Sequence, residues 1–324
     1  MHEVVAGSPL LHQRFPELRD SLPHLKLGSR SPVRRLAGLG VWLKDDGRYG
    51  DGPWGGNKVR KLEWILPDVR RRGRRTILTF GALGTNHGLA TALYGRDQGL
   101  RVALALVDQP LDDHVRAQLE RLRQSGATLH FTRSKWRTVA AAPWLLARHG
   151  MPYVLPAGGS SAVGTLGYVE AGLELGDQVA NGELPEPGHV VVAVGSGGTA
   201  AGLALGLRLA GLRSRVLGVV VNDMLRLDAA TLGGLSRRAG RLLGRRGARL
   251  PDLAPGVEVT REWLGAGYGR PTADSERALE LGREREGLEL DPVYTAKAMA
   301  GALALVERGA DRPVLFVQTH GARG

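Results

Sequence analysis

The chain has 324 residues, 43% hydrophobic and 23% charged, an ordinary globular composition with room for roughly two domains at about 150 residues each. It contains no cysteine, which excludes a disulfide framework, a thiolate metal site and a cysteine nucleophile and suits a reducing, cytoplasmic location. Its 44 basic residues outnumber 32 acidic ones for a formal net charge of +12, so attraction to phosphates, nucleic acid or acidic surfaces has to be weighed. Met1, His2 and Glu3 do not open a basic-then-apolar leader, and the longest apolar runs, such as 139–147 with Pro143 inside, are too short for a membrane span, so no membrane association is expected.

The first segment that carries chemistry is Trp54-Gly55-Gly56-Asn57-Lys58-Val59-Arg60-Lys61-Leu62-Glu63. Val59, Leu62 and Ile65 are spaced for one helix face, so Lys58 is expected to open a helix after a glycine pair. The helix dipole opposes a cation there, and Arg60 and Lys61 push the same way, so the Lys58 amine should lose part of its preference for charge. A partly neutral amine can form a Schiff base with a carbonyl; the bland alternative is a surface lysine cluster. Lys61, one turn along the same face, would meet an anion held near Lys58. Residues 70–75 (RRRGRR) follow, and a second basic stretch covers 226–249. Five arginines in six residues cannot all face a core, and aromatic interleaving is scarce. These clusters therefore read as solvated helix faces and a basic loop rather than as a specific nucleic-acid site.

Strand-like runs then recur at 76–80 (TILTF), 102–107 (VALALV), 127–131 (ATLHF), 189–194 (HVVVAV), 216–221 (VLGVVV) and 313–318 (PVLFVQ). Amphipathic stretches such as 113–124 and 199–210 lie between them. Continuous apolar strands alternating with helices predict an α/β protein with parallel sheets covered on both faces, whose ligands bind beyond the carboxyl ends of the strands. Residues 181–188 (NGELPEPG) read as a loop at a domain crossing, and 236–255, rich in Arg, Gly and Leu, as a helix plus a mobile loop.

Gly195-Ser196-Gly197-Gly198-Thr199 follows the 189–194 strand and precedes a helix expected to start near Thr199. Successive N–H groups at such a turn, aided by the helix dipole, suit a phosphate. Gly195, Gly197 and Ala200, with Asp223 after the next strand, also satisfy the weaker G-x-G-x-x-A dinucleotide pattern, so a nicotinamide-dependent dehydrogenase stands as a rival.

The run GGNKVRKLE resembles the Schiff-base lysine segment of the pyridoxal-phosphate family that contains D-cysteine desulfhydrases and 1-aminocyclopropane-1-carboxylate deaminases. Residues 79–100, 156–172 (PAGGSSAVGTLGYVEAG), 195–202 (GSGGTAAG), 265–271 (GAGYGRP) and 290–303 (LDPVYTAKAMAGAL) match in the same order, so the resemblance covers about residues 25–321. It implies fold type II, the tryptophan synthase β-like arrangement of two three-layer α/β domains, with 1–61 and 171–324 as the large cofactor-binding domain and 62–170 as a small inserted one. It implies pyridoxal 5'-phosphate as cofactor, no metal, a small amino acid as substrate, and a homodimer. Lys58 resembles the cofactor-bound lysine that moves the α-proton. Gly195 to Thr199 would hold the phosphate with Lys61 as charge partner. Asn86 resembles the partner of the ring hydroxyl, and Thr319 that of the pyridine nitrogen. The turn Thr85-Asn86-His87-Gly88 would receive the substrate carboxylate, with Tyr268 and Tyr294 over the substrate.

A hydroxyl such as Thr319 cannot keep the pyridine nitrogen protonated, so a weaker electron sink favours prompt loss of a β-substituent over transamination. The expected reaction is α,β-elimination, as in D-cysteine desulfhydrases, with a related deamination or β-replacement as the alternative. Four departures bear on this. Thr85 stands where Ser is usual, and its methyl is expected to crowd the carboxylate site. Thr295 stands where the deaminases carry Glu, so ring opening is not expected. Ser161 replaces Asn, and Thr319-His320-Gly321 replaces Thr-Gly-Gly close before the terminal Gly324, so a different rim is expected.

Overall fold

The computed structural model describes residues 7–251 and 256–321. The first residues, read above for a leader, and the end of the Arg-Gly-Leu segment at 252–255 lie outside the described residues. In chain order the strands are β1 Val33–Leu36, β2 Val41–Asp45, β3 Thr76–Ala82, β4 Arg101–Val107, β5 Thr128–Arg133, β6 Tyr153–Leu155, β7 His189–Val194, β8 Arg215–Val220, β9 Val257–Thr260 and β10 Val314–Gln318. They form a six-stranded sheet in the order β1-β2-β10-β7-β8-β9 and a four-stranded one in the order β5-β4-β3-β6.

The small sheet is parallel throughout, as are the large sheet's pairs from β2 to β9. The β1–β2 pair at the edge is antiparallel, an addition to the expected parallel sheets. Only a short turn, ending at Gly40 with φ of 69°, joins them, and so short a link cannot carry the chain back to start a parallel strand. The apolar runs became strands because helices cover both faces; all of β10 and all but the first residue of β7 are buried.

Both expected domain limits fall inside helices, Asn57–Arg71 and Ala162–Ala180, which run through the junction between the sheets. The second of these packs tightly on Gly198–Leu209. A Cβ on Gly172 would sit 2.7 Å from Gly206, so glycine at this crossing lets the two backbones touch.

The helix Asn57–Arg71 carries Lys58 and is buried nearly all round. The charges of Arg60 and Glu63 are individually met. Arg60 Nη2 donates to Asp46 Oδ1 at 2.9 Å and Arg60 Nη1 to Glu174 Oε2 at 3.0 Å, while Tyr49 Oη donates to Glu63 Oε2 at 2.7 Å. Pro67 lacks an N–H for the Glu63 carbonyl, and Leu25 N takes that acceptor at 2.8 Å. The helix is thus clamped from several sides, which fixes where Lys58 projects. The basic runs behave as solvated faces. Arg72 pairs with Asp68 at 2.8 Å near a helix C-terminus, where cations are favoured, and Arg226 pairs with Asp228 at 2.8 Å ahead of the helix Ala229–Arg245.

Candidate active site

A cavity of about 510 Å³ opens where the carboxyl ends of strands from both sheets converge. Lys58, Thr85, Asn86 and His87 line it, as do Gly195, Ser196, Tyr268, Tyr294 and Thr319. Lys61, Gly88, Gly197, Gly198 and Thr199 stand behind its wall rather than on it. Residues more than 250 positions apart in the chain therefore share one space.

Lys58 is the second residue of its helix and half-buried at the cavity. Its pKa is lowered from 10.5 to about 8, and the cause is burial. Arg60, expected to contribute, is turned away into the pair with Asp46 and Glu174. Near neutral pH the amine is thus partly neutral, the form that attacks an aldehyde.

Behind Ser196 the backbone makes a cradle. Gly197 caps the helix Gly198–Leu209 with φ of 89°, a conformation that favours glycine. The helix begins at Gly198, one residue before the expected start. The N–H groups of Ser196, Gly197 and Thr199 make no hydrogen bond among the described residues. Gly198 N donates to Ser160 Oγ at 3.0 Å, and Ser160 Oγ lies 2.8 Å from Ser196 Oγ. Lys61, 1% exposed, donates to the Gly158 carbonyl at 3.0 Å and has no carboxylate in ion-pair range among the described residues. Burial, then the nearby Lys58, pushes its pKa well below the usual lysine range. A buried amine that an arriving anion would favour in its charged form, beside open N–H groups at a helix N-terminus, is a donor set that a phosphate monoester fits. The Thr199 hydroxyl accepts from Asn57 Nδ2 at 3.2 Å, which leaves its O–H to donate.

Opposite, Thr85 caps the helix Asn86–Asp97, its Oγ1 accepting from Gly88 N at 3.1 Å. The Asn86 and His87 N–H groups make no hydrogen bond among the described residues, so a carboxylate can be received there. The Thr85 methyl, expected to crowd the carboxylate site, packs against two glycines. A Cβ on Gly88 would fall 2.5 Å from it and one on Gly81 2.8 Å, so it fills the room two glycines leave. His87 is 4% exposed. Thr79 Oγ1 donates to the Leu155 carbonyl at 3.0 Å and so accepts from His87 Nε2 at 3.2 Å. That puts the imidazole proton on Nε2 and leaves Nδ1 a buried acceptor without a partner among the described residues. Burial, then Lys58 and Lys61, pushes its pKa well below 6.5, so the ring stays neutral.

Tyr268 and Tyr294 join through their hydroxyls at 2.5 Å with rings at 75°. Burial raises both pKa values, so both remain neutral phenols. Tyr268 N donates to Asp223 Oδ1 at 3.1 Å, so the carboxylate of the rival dinucleotide pattern fastens the tyrosine loop. Asp291 accepts from Tyr294 N at 2.7 Å and from Thr295 Oγ1 at 2.7 Å, which fixes Tyr294 at the start of the helix Thr295–Glu307. Thr295 is fully buried. Thr319 offers a hydroxyl with no hydrogen bond among the described residues, and its carbonyl accepts from Asn57 N at 3.1 Å. At the rim, Gly321 O accepts from Gly55 N at 3.1 Å and His320 joins the lining, so 319–321 are held along the 55–57 turn.

Sequence reasoning missed Ser160, Asn57, Asn222, Asp291 and Gln118. Asn222 Nδ2 donates to the Gly195 carbonyl at 2.9 Å and holds the phosphate turn. Ser161, the departure from Asn, caps the helix Ala162–Ala180. That capping doublet was a legible signal for its neighbour Ser160; the others carried none.

The sequence profile of the pyridoxal-phosphate dependent enzymes matches residues 25–319. The chain is 32% identical to a D-cysteine desulfhydrase of Serratia proteamaculans (strain 568), covering 93% of this chain and 94% of that protein. It is also 32% identical to a putative 1-aminocyclopropane-1-carboxylate deaminase of Pyrococcus horikoshii, covering 90% and 87%. Among solved structures it is similar to an ACC deaminase homologue, with a TM-score of 0.81 and 30% identity over 96% of this chain and 95% of that one. It also shares the fold of a threonine deaminase from Solanum lycopersicum, with a TM-score of 0.64 at 15% identity over 100% of this chain and 91% of that one.

Proposed function

The chain belongs to the family of pyridoxal-phosphate dependent enzymes, and from that premise we propose that it is a lyase performing α,β-elimination on a small amino acid, as a D-cysteine desulfhydrase does. D-cysteine and water would give pyruvate, ammonia and sulfide. The carrying observation is that Lys58, a partly neutral amine, opens onto the same cavity as an anion cradle, open helix N–H groups and a tyrosine pair.

When bound, pyridoxal phosphate supplies an electron sink for the charge left at Cα. The protein does the rest. Lys61, Ser160 and the 195–199 turn hold the phosphate. Asn86 N and His87 N hold the substrate carboxylate at the end of their helix dipole. Lys58 Nζ takes the α-proton, and a neutral amine with a pKa of about 8 is matched to that task near neutral pH. Tyr268 and Tyr294 pack over the substrate and exclude water. Thr319 would offer the pyridine nitrogen a hydroxyl rather than a carboxylate, which supports elimination over transamination.

Ring opening of 1-aminocyclopropane-1-carboxylate is less well supported. Thr295 has no carboxyl group, its hydroxyl is spent on Asp291, and Asp291 is itself occupied by the N–H groups of 293–295. No helix among the described residues is long and apolar enough to cross a membrane. A homodimer belongs to the same proposal, supported by exposed Trp136 and Trp144 on the helix Lys135–Arg148; light scattering of the purified protein tests it.

The test of activity is pyruvate release from D- and L-cysteine, D-serine, β-chloro-D-alanine and cysteate by cofactor-loaded protein. Pyruvate from at least one substrate, lost in Lys58→Ala, is expected. A protein that binds no pyridoxal phosphate, or one whose turnover survives Lys58→Ala, would remove the proposal.

A further inference from the structure

Asn86 faces the cavity with a side chain that has two chemically opposite ends. Its carboxamide can present either a donor NH₂ or an acceptor oxygen, and its other partners decide which. We propose that Gln118 is a positioning residue that locks the Asn86 amide with its NH₂ toward the cavity. This rests on the reading above, in which the cavity takes pyridoxal phosphate and Asn86 meets its ring hydroxyl.

Gln118 lies on the helix Asp113–Gln124 and is 1% exposed, so water cannot satisfy its amide. Its Nε2 donates to Asn86 Oδ1. Its Oε1 lies 3.5 Å from Arg121 Nη1, at the outer limit of a hydrogen bond. That contact still has a direction, because a guanidinium has no acceptor, so only the Gln118 oxygen can face it. Arg121 thus starts a relay with one sense. Arg121 donates to Gln118, Gln118 donates to Asn86, and Asn86 is left with Nδ2 to give. Asn86 Nδ2 makes no hydrogen bond among the described residues, so it is available to an acceptor in the cavity.

The direction matters chemically. The ring oxygen of the cofactor is a far better acceptor once deprotonated. A donor aimed at it stabilises the anionic form, whereas a carbonyl there would repel it and favour the protonated one. Gln118, which touches neither cofactor nor substrate, would in this way set the protonation state of the cofactor.

Gln118→Glu tests the relay with nearly the same shape. A carboxylate only accepts, so it should draw Asn86 Nδ2 toward itself and turn Oδ1 into the cavity. In cofactor-loaded enzyme, the pH midpoint of the visible absorption band is expected to rise by about one unit. Binding of pyridoxal phosphate to the apoprotein, read by equilibrium dialysis, should weaken about tenfold for one reversed hydrogen bond. Gln118→Leu, which removes the lock without reversing it, should move both in the same direction by less, and serves if the Glu variant does not fold. In an Asn86→Ala background Gln118→Glu should change neither readout. A wild-type midpoint in both single variants, or an undiminished Gln118→Glu effect in Asn86→Ala, would overturn the relay. Wild-type protein that takes up no pyridoxal phosphate would instead sink the cofactor reading, and is seen before any variant is made.

Discussion

Covalent capture of pyridoxal phosphate by the apoprotein should accelerate as pH rises from 6 and level off above pH 8. Only a neutral amine attacks an aldehyde, and burial lowers the Lys58 pKa from 10.5 to about 8. At pH 7 an ordinary lysine is neutral to about 0.03%, whereas one with a pKa near 8 is neutral to about a tenth, a gain of ~300-fold in reactive amine. The assay is stopped-flow formation of the visible band under excess cofactor at fixed ionic strength, with a model amine run in parallel to remove the cofactor's own titration. The rate should climb about tenfold per pH unit below 8 and then flatten. Lys61→Met should not move the midpoint, because burial rather than the neighbouring charge holds Lys58 down. A rate still climbing at pH 10, or one flat from pH 6 to 9, would refute the argument.

Ser160→Ala should weaken cofactor affinity about tenfold, since Gly198 N and Ser196 Oγ both lose their partner; equilibrium dialysis reads it. Lys61→Met should abolish tight cofactor binding yet leave the apoprotein at least as stable in a denaturant melt, because a buried amine without an ion-pair partner is replaced by an apolar stem. The folded chain holds that amine below its ordinary value, so the unfolded chain binds more protons. Wild-type apoprotein stability should therefore rise with pH between the lowered value and 10.5, a slope that Met reduces. Thr85→Ser should cost about 1 kcal/mol by emptying the methyl's place beside Gly81 and Gly88 and leave KM for the amino acid unchanged; a KM that falls several-fold would show that the methyl does crowd the carboxylate site.

Much of the architecture is readable in the amino-acid pattern. The strand His189–Val194 and the helix Asp113–Gln124 fall where the apolar patterning puts them, and the helix with Lys58 at its second position follows the glycine pair. The signals are local: β-branched runs make strands, apolar residues at helical spacing make a buried face, and glycines mark turns. The antiparallel β1 is harder to see, since its burial pattern has two exposed arginines and no continuous apolar run.

The residue types of the site are likewise legible, while their duties are not. That Lys58 is a weakened base follows from sequence, but the pattern points to the company of Arg60 as a cause, and Arg60 is spent on Asp46 and Glu174. Thr295 can be seen to lack a carboxyl group, but not that its hydroxyl pins Asp291.

What the chain alone determined was the inventory: an amine at a helix start, a glycine turn after a strand, two tyrosines and a threonine after the last strand, each set by patterns within a few residues. The tertiary structure decided which donor faces which acceptor. Lys61 meets Gly158 across 97 positions, Gln118 reaches Asn86 across 32 and Ser160 reaches Ser196 across 36. Burial and hydrogen-bond direction are properties of the assembled space, and they act on pKa and orientation only once packing has excluded water.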